Sequence, residues 1–245
     1  AQLLPRPELS LTTNGLGLTK LATSLAAAGL DRVNVSLDTL DREQFRTITR
    51  RDRFDDVLEG IWAADQAGLN PVKINSVLMR GVNEREAPRL LRWALDHGYE
   101  LRIIEQMPLD PQHGWDRATM VTAAETLASL STEFELTPEG HEARGSAPAE
   151  RFAVNGGPGR VGIIASVTRP FCGDCDRVRL TADGQVRDCL FARRESDLRS
   201  GMRGGADDTE LARLWRVAMA GKRAGHGIDN PSFLQPTRPM SAIGG

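Results

Sequence analysis

Short apolar, β-leaning runs alternate along the first half of this chain with stretches of helical period, and Gly or Pro punctuates most of the joins. Leu9-Ser-Leu-Thr-Thr13 predicts a strand ended by Asn14-Gly15. An apolar-periodic helix follows to Ala28 and stops at Gly29. Further strands are predicted over Val33–Leu37, Val72–Leu78 and Leu101–Met107. Helices are predicted over Asp41–Arg50, over Phe54–Ala67 with Gly68 as its stop, and over Glu84–His97. Strands spaced by full helices predict βα units, parallel pairing and right-handed crossovers. Four strands are too few to close an eight-stranded barrel, so the expected fold class is α/β, a partial barrel or an open sheet.

Past Pro108 the rhythm changes. Thr122–Phe134 reads as a helix, and Pro138–Gly159 as a polar loop rich in Gly and Pro. Short strands are expected at Val161–Ala165, Arg177–Leu180 and Gln185–Leu190, with Asp183-Gly184 as a hairpin turn. A helix is expected over Thr209–Lys222, then a Gly- and Pro-rich tail from Gly225. The expected division is a βα part over 1–110 and an α+β part over 111–245.

Composition narrows the function classes. With 245 residues, 40% hydrophobic and 26% charged, the chain can bury a full core. Its net charge of -2 gives no global basic field for nucleic acid. No apolar run approaches membrane-spanning length and no signal-peptide pattern opens the chain. Three cysteines in a chain this size fit a reducing compartment, so a cytoplasmic location is expected, with neither membrane nor nucleic-acid partner.

Those cysteines carry the sharpest chemical signal. Cys172 and Cys175 form a C-x2-C pair and Cys189 follows after thirteen intervening residues. A closed zinc site takes four ligands, whereas three thiolates leave a coordination position open. Two readings stay open on the residues alone: an iron–sulfur cluster with one free iron, or zinc completed by a His or by an Asp, with Asp174, Asp176 and Asp188 close in sequence. Arg177 and Arg179 are two apart on a predicted strand, so both would face one side as an anion clamp or as a solvated edge.

Ligands of parallel βα folds gather at the carboxyl ends of strands. Polar residues on or near these ends are Thr12, Thr13 and Asn14; Asn34, Ser36 and Asp38; Lys73 and Asn75; and Glu105. Most strand-end Ser and Asp residues are helix caps. Lys73 stands out, because a lysine inside an apolar strand needs a partner and a phosphate supplies one.

Taken together, Leu-Thr-Thr-Asn-Gly15, Val-Asn-Val-Ser-Leu-Asp38, Val-Lys-Ile-Asn75, Ile-Glu-Gln-Met107, Phe-Cys-Gly-Asp-Cys-Asp-Arg-Val-Arg179, Asp-Cys-Leu-Phe191 and the terminal Ile-Gly-Gly245 resemble the GTP 3',8-cyclase family. These are radical S-adenosylmethionine (SAM) enzymes of molybdenum cofactor biosynthesis. The resemblance implies a partial TIM-type (βα) barrel closed on its open side by the C-terminal region. It implies conversion of GTP to (8S)-3',8-cyclo-7,8-dihydroguanosine 5'-triphosphate. Cys172, Cys175 and Cys189 would hold a second [4Fe–4S] cluster whose open iron binds the GTP base. Thr12, Lys73, Arg177, Val178 and Arg179 would contact GTP. Ser36 and Met107 would line the SAM site, and Gly244 and Gly245 would reach the active site. An electron donor is an implied partner and a homodimer is compatible with the family. The family's C-x3-C-x2-C, which binds the first [4Fe–4S] cluster and SAM, is absent from these residues. The sequence is therefore expected to be an N-terminally truncated form, inactive by itself. The alternatives are a peptide-maturing radical enzyme with an auxiliary cluster, or a noncatalytic zinc- or nucleotide-binding module.

Overall fold

The computed structural model describes residues 4–223 and 225–243. They form two compact units. The first comprises residues 1–106, 119–144 and 149–168, and the second residues 107–118, 145–148 and 169–245.

The first unit is built as the alternation predicts. Strand β1 (Ser10–Thr13) leads to α1 (Leu18–Ala27), and β2 (Arg32–Ser36) to α2 (Arg42–Thr49) and α3 (Phe54–Gln66). Then come β3 (Lys73–Val77), α4 (Ala87–Asp96), β4 (Glu100–Ile104) and α5 (Ala123–Leu130). Next are β5 (Leu136–Pro138), the short α6 (His141–Arg144), β6 (Glu150–Val154) and β7 (Arg160–Ile164). The sheet order is β1-β2-β3-β4-β7-β6-β5. The β1, β2, β3, β4 and β7 pairings are parallel, while β6 and β5 add antiparallel.

The core follows from the strand period of two. Val33 and Val35 of β2, Ile74 of β3, Leu101 and Ile103 of β4, and Val161 and Ile163 of β7 are all buried in one cluster with the helices. Each such side chain contributes about 1.5–3 kcal/mol by leaving water. Helices α1 and α3 meet at Gly60, where an added Cβ would stand 2.4 Å from the Gly15 carbonyl oxygen. Helix starts are capped locally. The Asp41 carboxylate accepts the Gln44 N–H. Thr122 and Glu125 form a reciprocal capping box. The Thr122 backbone N–H, with Arg80 beside it, holds the Glu125 carboxyl down at about 2.

The structure corrects three sequence expectations here. The loop expected over Pro138–Gly159 contains α6 and β6. Strand β6 is half-polar and gains its ladder from β5 and β7, pairings that local composition does not announce. The strand expected to reach Met107 ends at Ile104; the Glu105 N–H still donates to the Ile164 carbonyl of β7 at 3.1 Å, while its carboxylate braces two loops. The helix expected from Glu84 begins at Ala87, with Pro88 in its first turn.

The second unit holds a three-stranded antiparallel sheet ordered β10-β9-β8. Strands β8 (Arg179–Leu180) and β9 (Gln185–Arg187) form the expected hairpin, with β9 ending three residues before the expected Leu190. Strand β10 (Ser196–Asp197) pairs back onto β9, and α7 (Arg199–Arg203) and α8 (Asp208–Ala220) follow. A small core of Val186, Leu198 and Ala218, flanked by Val178, Leu211, Leu214, Trp215 and Met219, ties α8 to the hairpin. Helix α8 ends two residues short of the predicted Lys222. Among the described residues, no helix is long and apolar enough to cross a membrane.

Candidate functional site

The face of the parallel sheet opposite the apolar core carries a grid of polar side chains. Register sets Thr12, Asn34, Lys73 and Glu100 in one row across β1–β4. Ser36, Asn75, Arg102 and Gly162 form the next row, across β2–β4 and β7. Alternation places both rows on the same face.

The grid is hydrogen-bonded within itself. Asn34 Nδ2 donates to Thr12 Oγ1 at 3.1 Å, and Arg102 Nε donates to Asn75 Oδ1 at 2.9 Å. Lys73 Nζ pairs with Glu100 Oε1 at 3.2 Å, both side chains being mostly buried. Burial pushes the Lys73 ammonium down, and Glu100 only partly restores it. Burial likewise lowers Arg102. No ion pair to Arg102 occurs among the described residues, and Gly162 opposite it leaves room, since a Cβ there would lie 3.1 Å from Arg102 Cγ. Two partly desolvated cations on one polar face are chemically suited to meet an anion.

Sequence reasoning found Thr12, Asn34, Lys73 and Asn75 in this grid but missed Arg102. The signal was present: a cation inside the apolar run Leu-Arg-Ile-Ile104, the pattern that singled out Lys73. Ser36 is exposed on the same face, at the carboxyl end of β2. Met107 belongs to the second unit and is half-buried, its carbonyl accepting the Leu109 N–H. Glu105 is no ligand contact, because its buried carboxylate is used up by backbone donors.

Asp38, at the end of β2, accepts the Val77 N–H at 2.8 Å and so joins β2 to the end of β3. Burial raises its carboxyl pKa, against the lowering effect of that bond. A raised folded pKa means stability present below the ordinary value of 3.8 and lost as pH rises through the folded one. Asp38→Asn keeps an acceptor for Val77 and removes the charge. It is expected to stabilise the chain at pH 7 by about 1 kcal/mol. Urea midpoints at pH 7, 5.5 and 4.5 check this. The gap should shrink toward acid, and a variant less stable at pH 7 defeats the assignment.

In the second unit the cysteines converge on the β8–β9 hairpin. Cys172 opens a 3-10 turn over Cys172–Asp174, and the Cys175 N–H donates back to the Cys172 carbonyl at 3.4 Å. Cys189 lies two residues past β9. All three thiols are free and half-buried. Burial pushes the Cys175 thiol up, but Arg177 outweighs it, its Nη2 donating to Sγ at 3.5 Å, and the net shift is downward. Burial raises Cys189, and Cys172 is near enough to add to that shift.

The arginine pair is corrected. Arg177 precedes β8, so the two do not share a strand face. Its guanidinium lies over the Phe171 ring at 4.5 Å and stays exposed. Arg179 is half-buried on β8, and burial lowers its pKa, with Arg177 and Arg187 adding to the effect. Its Nη1 donates to the Ile243 carbonyl at 3.4 Å. Val178 between them packs on the small core. Gly244 and Gly245 lie outside the described residues. A cavity of about 600 Å³ borders Cys189, lined by Asp188, Phe191, Arg193, Arg194 and His226 among others.

A single tetrahedral ion binds every sulfur at about 2.3 Å and so draws its ligands tightly together. No group of three His, Cys, Asp or Glu side chains among the described residues is arranged to hold one ion. A cubane gives each thiolate its own iron and spreads the sulfurs farther apart. Three free thiols flanking the two ends of one hairpin can serve as cluster ligands, one to each of three irons. The first cluster's ligands are not among these residues, whose only cysteines are these three.

Two family models match consecutive stretches of the chain. A family model described as Molybdenum Cofactor Synthesis C matches residues 99–228, and one described as Radical SAM superfamily matches residues 1–94. The chain is 69% identical over 245 residues to a protein of Streptomyces coelicolor named GTP 3',8-cyclase, covering 100% of this chain and 72% of that one. It is 60% identical over 243 residues to a protein of the same name from Mycobacterium sp. strain KMS, covering 99% and 69%. A third of that name, from Mycolicibacterium smegmatis, is 58% identical over 249 residues, covering 100% and 69%.

Proposed function

The chain belongs to the GTP 3',8-cyclase family of radical SAM enzymes, and we propose that its three-cysteine hairpin holds an iron–sulfur cluster beside a GTP-binding arginine. Its reaction is the first step of molybdenum cofactor biosynthesis, a lyase reaction on GTP that uses SAM. The observation that carries the proposal is the placing of Arg179, a half-buried cation on β8, in the hairpin whose two ends are flanked by the three cysteines.

Cys172, Cys175 and Cys189 would ligate the cluster. Bound there, it would offer an iron without a protein ligand to the base of GTP. The protein's own part is binding and orientation. Arg179 would receive negative charge from GTP, and Arg177, held over Phe171, would add a second donor with Val178 contributing backbone. Thr12 and Lys73 are proposed GTP contacts of the sheet unit, and Arg102 joins them on the strength of its place in the same grid. In this reading a triphosphate oxygen replaces Glu100 as the partner of Lys73. Ser36 and Met107 are proposed SAM contacts, the parallel sheet is read as the wall of a partial TIM-type barrel, and the reaction calls for an electron donor.

Anaerobic reconstitution with iron and sulfide, then iron counting and electron paramagnetic resonance with and without GTP, tests the proposal. About four irons per chain and a spectrum perturbed by GTP are expected. Stoichiometric zinc in place of iron, or a spectrum indifferent to GTP, overturns it.

A further inference from the structure

Two cations grip the segments that carry the cysteines, and they do so through backbone carbonyls. Lys222, half-buried just past the end of α8, donates from Nζ to the Arg177 carbonyl at 2.7 Å and to the Asp188 carbonyl at 2.6 Å. Arg177 lies two residues after Cys175, and Asp188 immediately precedes Cys189. One ammonium thus joins the two cysteine-bearing arms. From β9 the Arg187 guanidinium, 2% exposed, donates to the Leu190 and Ala192 carbonyls. Its charge is met by Glu195 Oε1 at 2.5 Å. Arg238 in turn bonds Glu195 at 3.1 Å and Asp183 of the hairpin turn at 2.7 Å. The carbonyls of residues 188, 190 and 192, around Cys189, are therefore all held by side-chain cations.

We propose that Lys222 and Arg187 are positioning residues for the three-cysteine site. Lys222 sets the spacing between the Cys172/Cys175 arm and Cys189, and Arg187 fixes the turn that presents Cys189. The proposal deepens, and rests on, the reading of these cysteines as cluster ligands. The physical reason for carbonyl anchors is geometric. The cysteine loop has little ladder pairing of its own, since β9 ends at Arg187, so its orphan carbonyls need donors. A cation supplies several donors from one point and also places positive charge beside the thiolates.

The test compares the wild-type chain with Lys222→Met, Lys222→Arg, Arg187→Met and, as a control on the neighbouring exposed cation, Arg223→Met. Each is reconstituted anaerobically and challenged with a chelator. Lys222→Met should lose iron about tenfold faster than wild type, with an altered paramagnetic spectrum and a more negative midpoint potential. Lys222→Arg, which keeps the charge and can reach both carbonyls, should restore most of the retention. Arg223→Met should match wild type. Equal iron loss, spectrum and potential in Lys222→Met and wild type overturns the proposal. If Lys222→Met fails to fold, Arg187→Met decides by the same readouts.

Hydrogen exchange of the metal-free chains separates this proposal from the cluster reading. Should wild type take up no iron, the cluster reading falls. Positioning then stands if Lys222→Met exchanges residues 176–178 and 188–192 about tenfold faster than wild type, and it falls if protection is unchanged.

Discussion

Glu105→Ala is expected to cost the sheet unit about 3–5 kcal/mol, several times the effect of an average substitution. The carboxylate is 3% exposed and accepts four hydrogen bonds. Oε2 takes the Val167 and Thr168 backbone N–H groups, each at 2.8 Å, and Oε1 takes the Ala123 N–H and the Thr168 hydroxyl. One side chain thus anchors the start of α5 and the chain leaving β7 to the end of β4. Alanine leaves two buried N–H donors, those of Ala123 and Val167, without partners, at about 1–3 kcal/mol each before relaxation, and a third, less costly one at the exposed Thr168. Glu105→Gln separates shape from charge. An amide nitrogen at the Oε2 position faces two N–H donors, and at the Oε1 position it still faces the Ala123 N–H, although the Thr168 hydroxyl can turn. Glutamine should therefore also destabilise, by about 2 kcal/mol. Urea midpoints at unchanged slope give both values. A glutamine variant as stable as wild type would show that the carboxylate is not the brace described here.

Arg179→Gln should weaken GTP binding about 100-fold, or about 2.7 kcal/mol. The same change should alter the stability of the nucleotide-free chain by less than about 1 kcal/mol, because the lost bond to the Ile243 carbonyl is offset by removal of a charge that burial disfavours. The paired outcome is the diagnostic. A purely structural arginine would lose stability on replacement, whereas a receptor loses only the shift in Tm that ligand produces. Melting curves at several GTP concentrations read both quantities at once. A Tm shift equal to that of wild type would remove Arg179 from the GTP site. Arg177→Gln is expected to do less, since its guanidinium is exposed and already stacked on Phe171.

The sequence by itself determined the parts that local periodicity and spacing encode. The βα rhythm up to Ile104 stands within a few residues of its prediction, because each element buries a face defined by its own side chains. The Asp183-Gly184 turn, and with it the β8–β9 hairpin, is equally local. The cysteine spacing and the family resemblance needed no folding argument. Tertiary structure alone decided which residues meet. Strand β6 escaped notice because its stability comes from partners on either side rather than from its own pattern. Arg102 entered the polar grid through register with Asn75 and Gly162, which lie 27 residues before it and 60 after it. Glu105 read as a strand-end polar group until the donors from Ala123, Val167 and Thr168 arrived from distant segments. Lys222 read as the last residue of a helix, yet it lies beyond α8, where its ammonium reaches carbonyls 45 and 34 residues away in the chain. A backbone carbonyl carries no residue identity, so no motif marks it as a partner, and only the folded chain brings a donor to it.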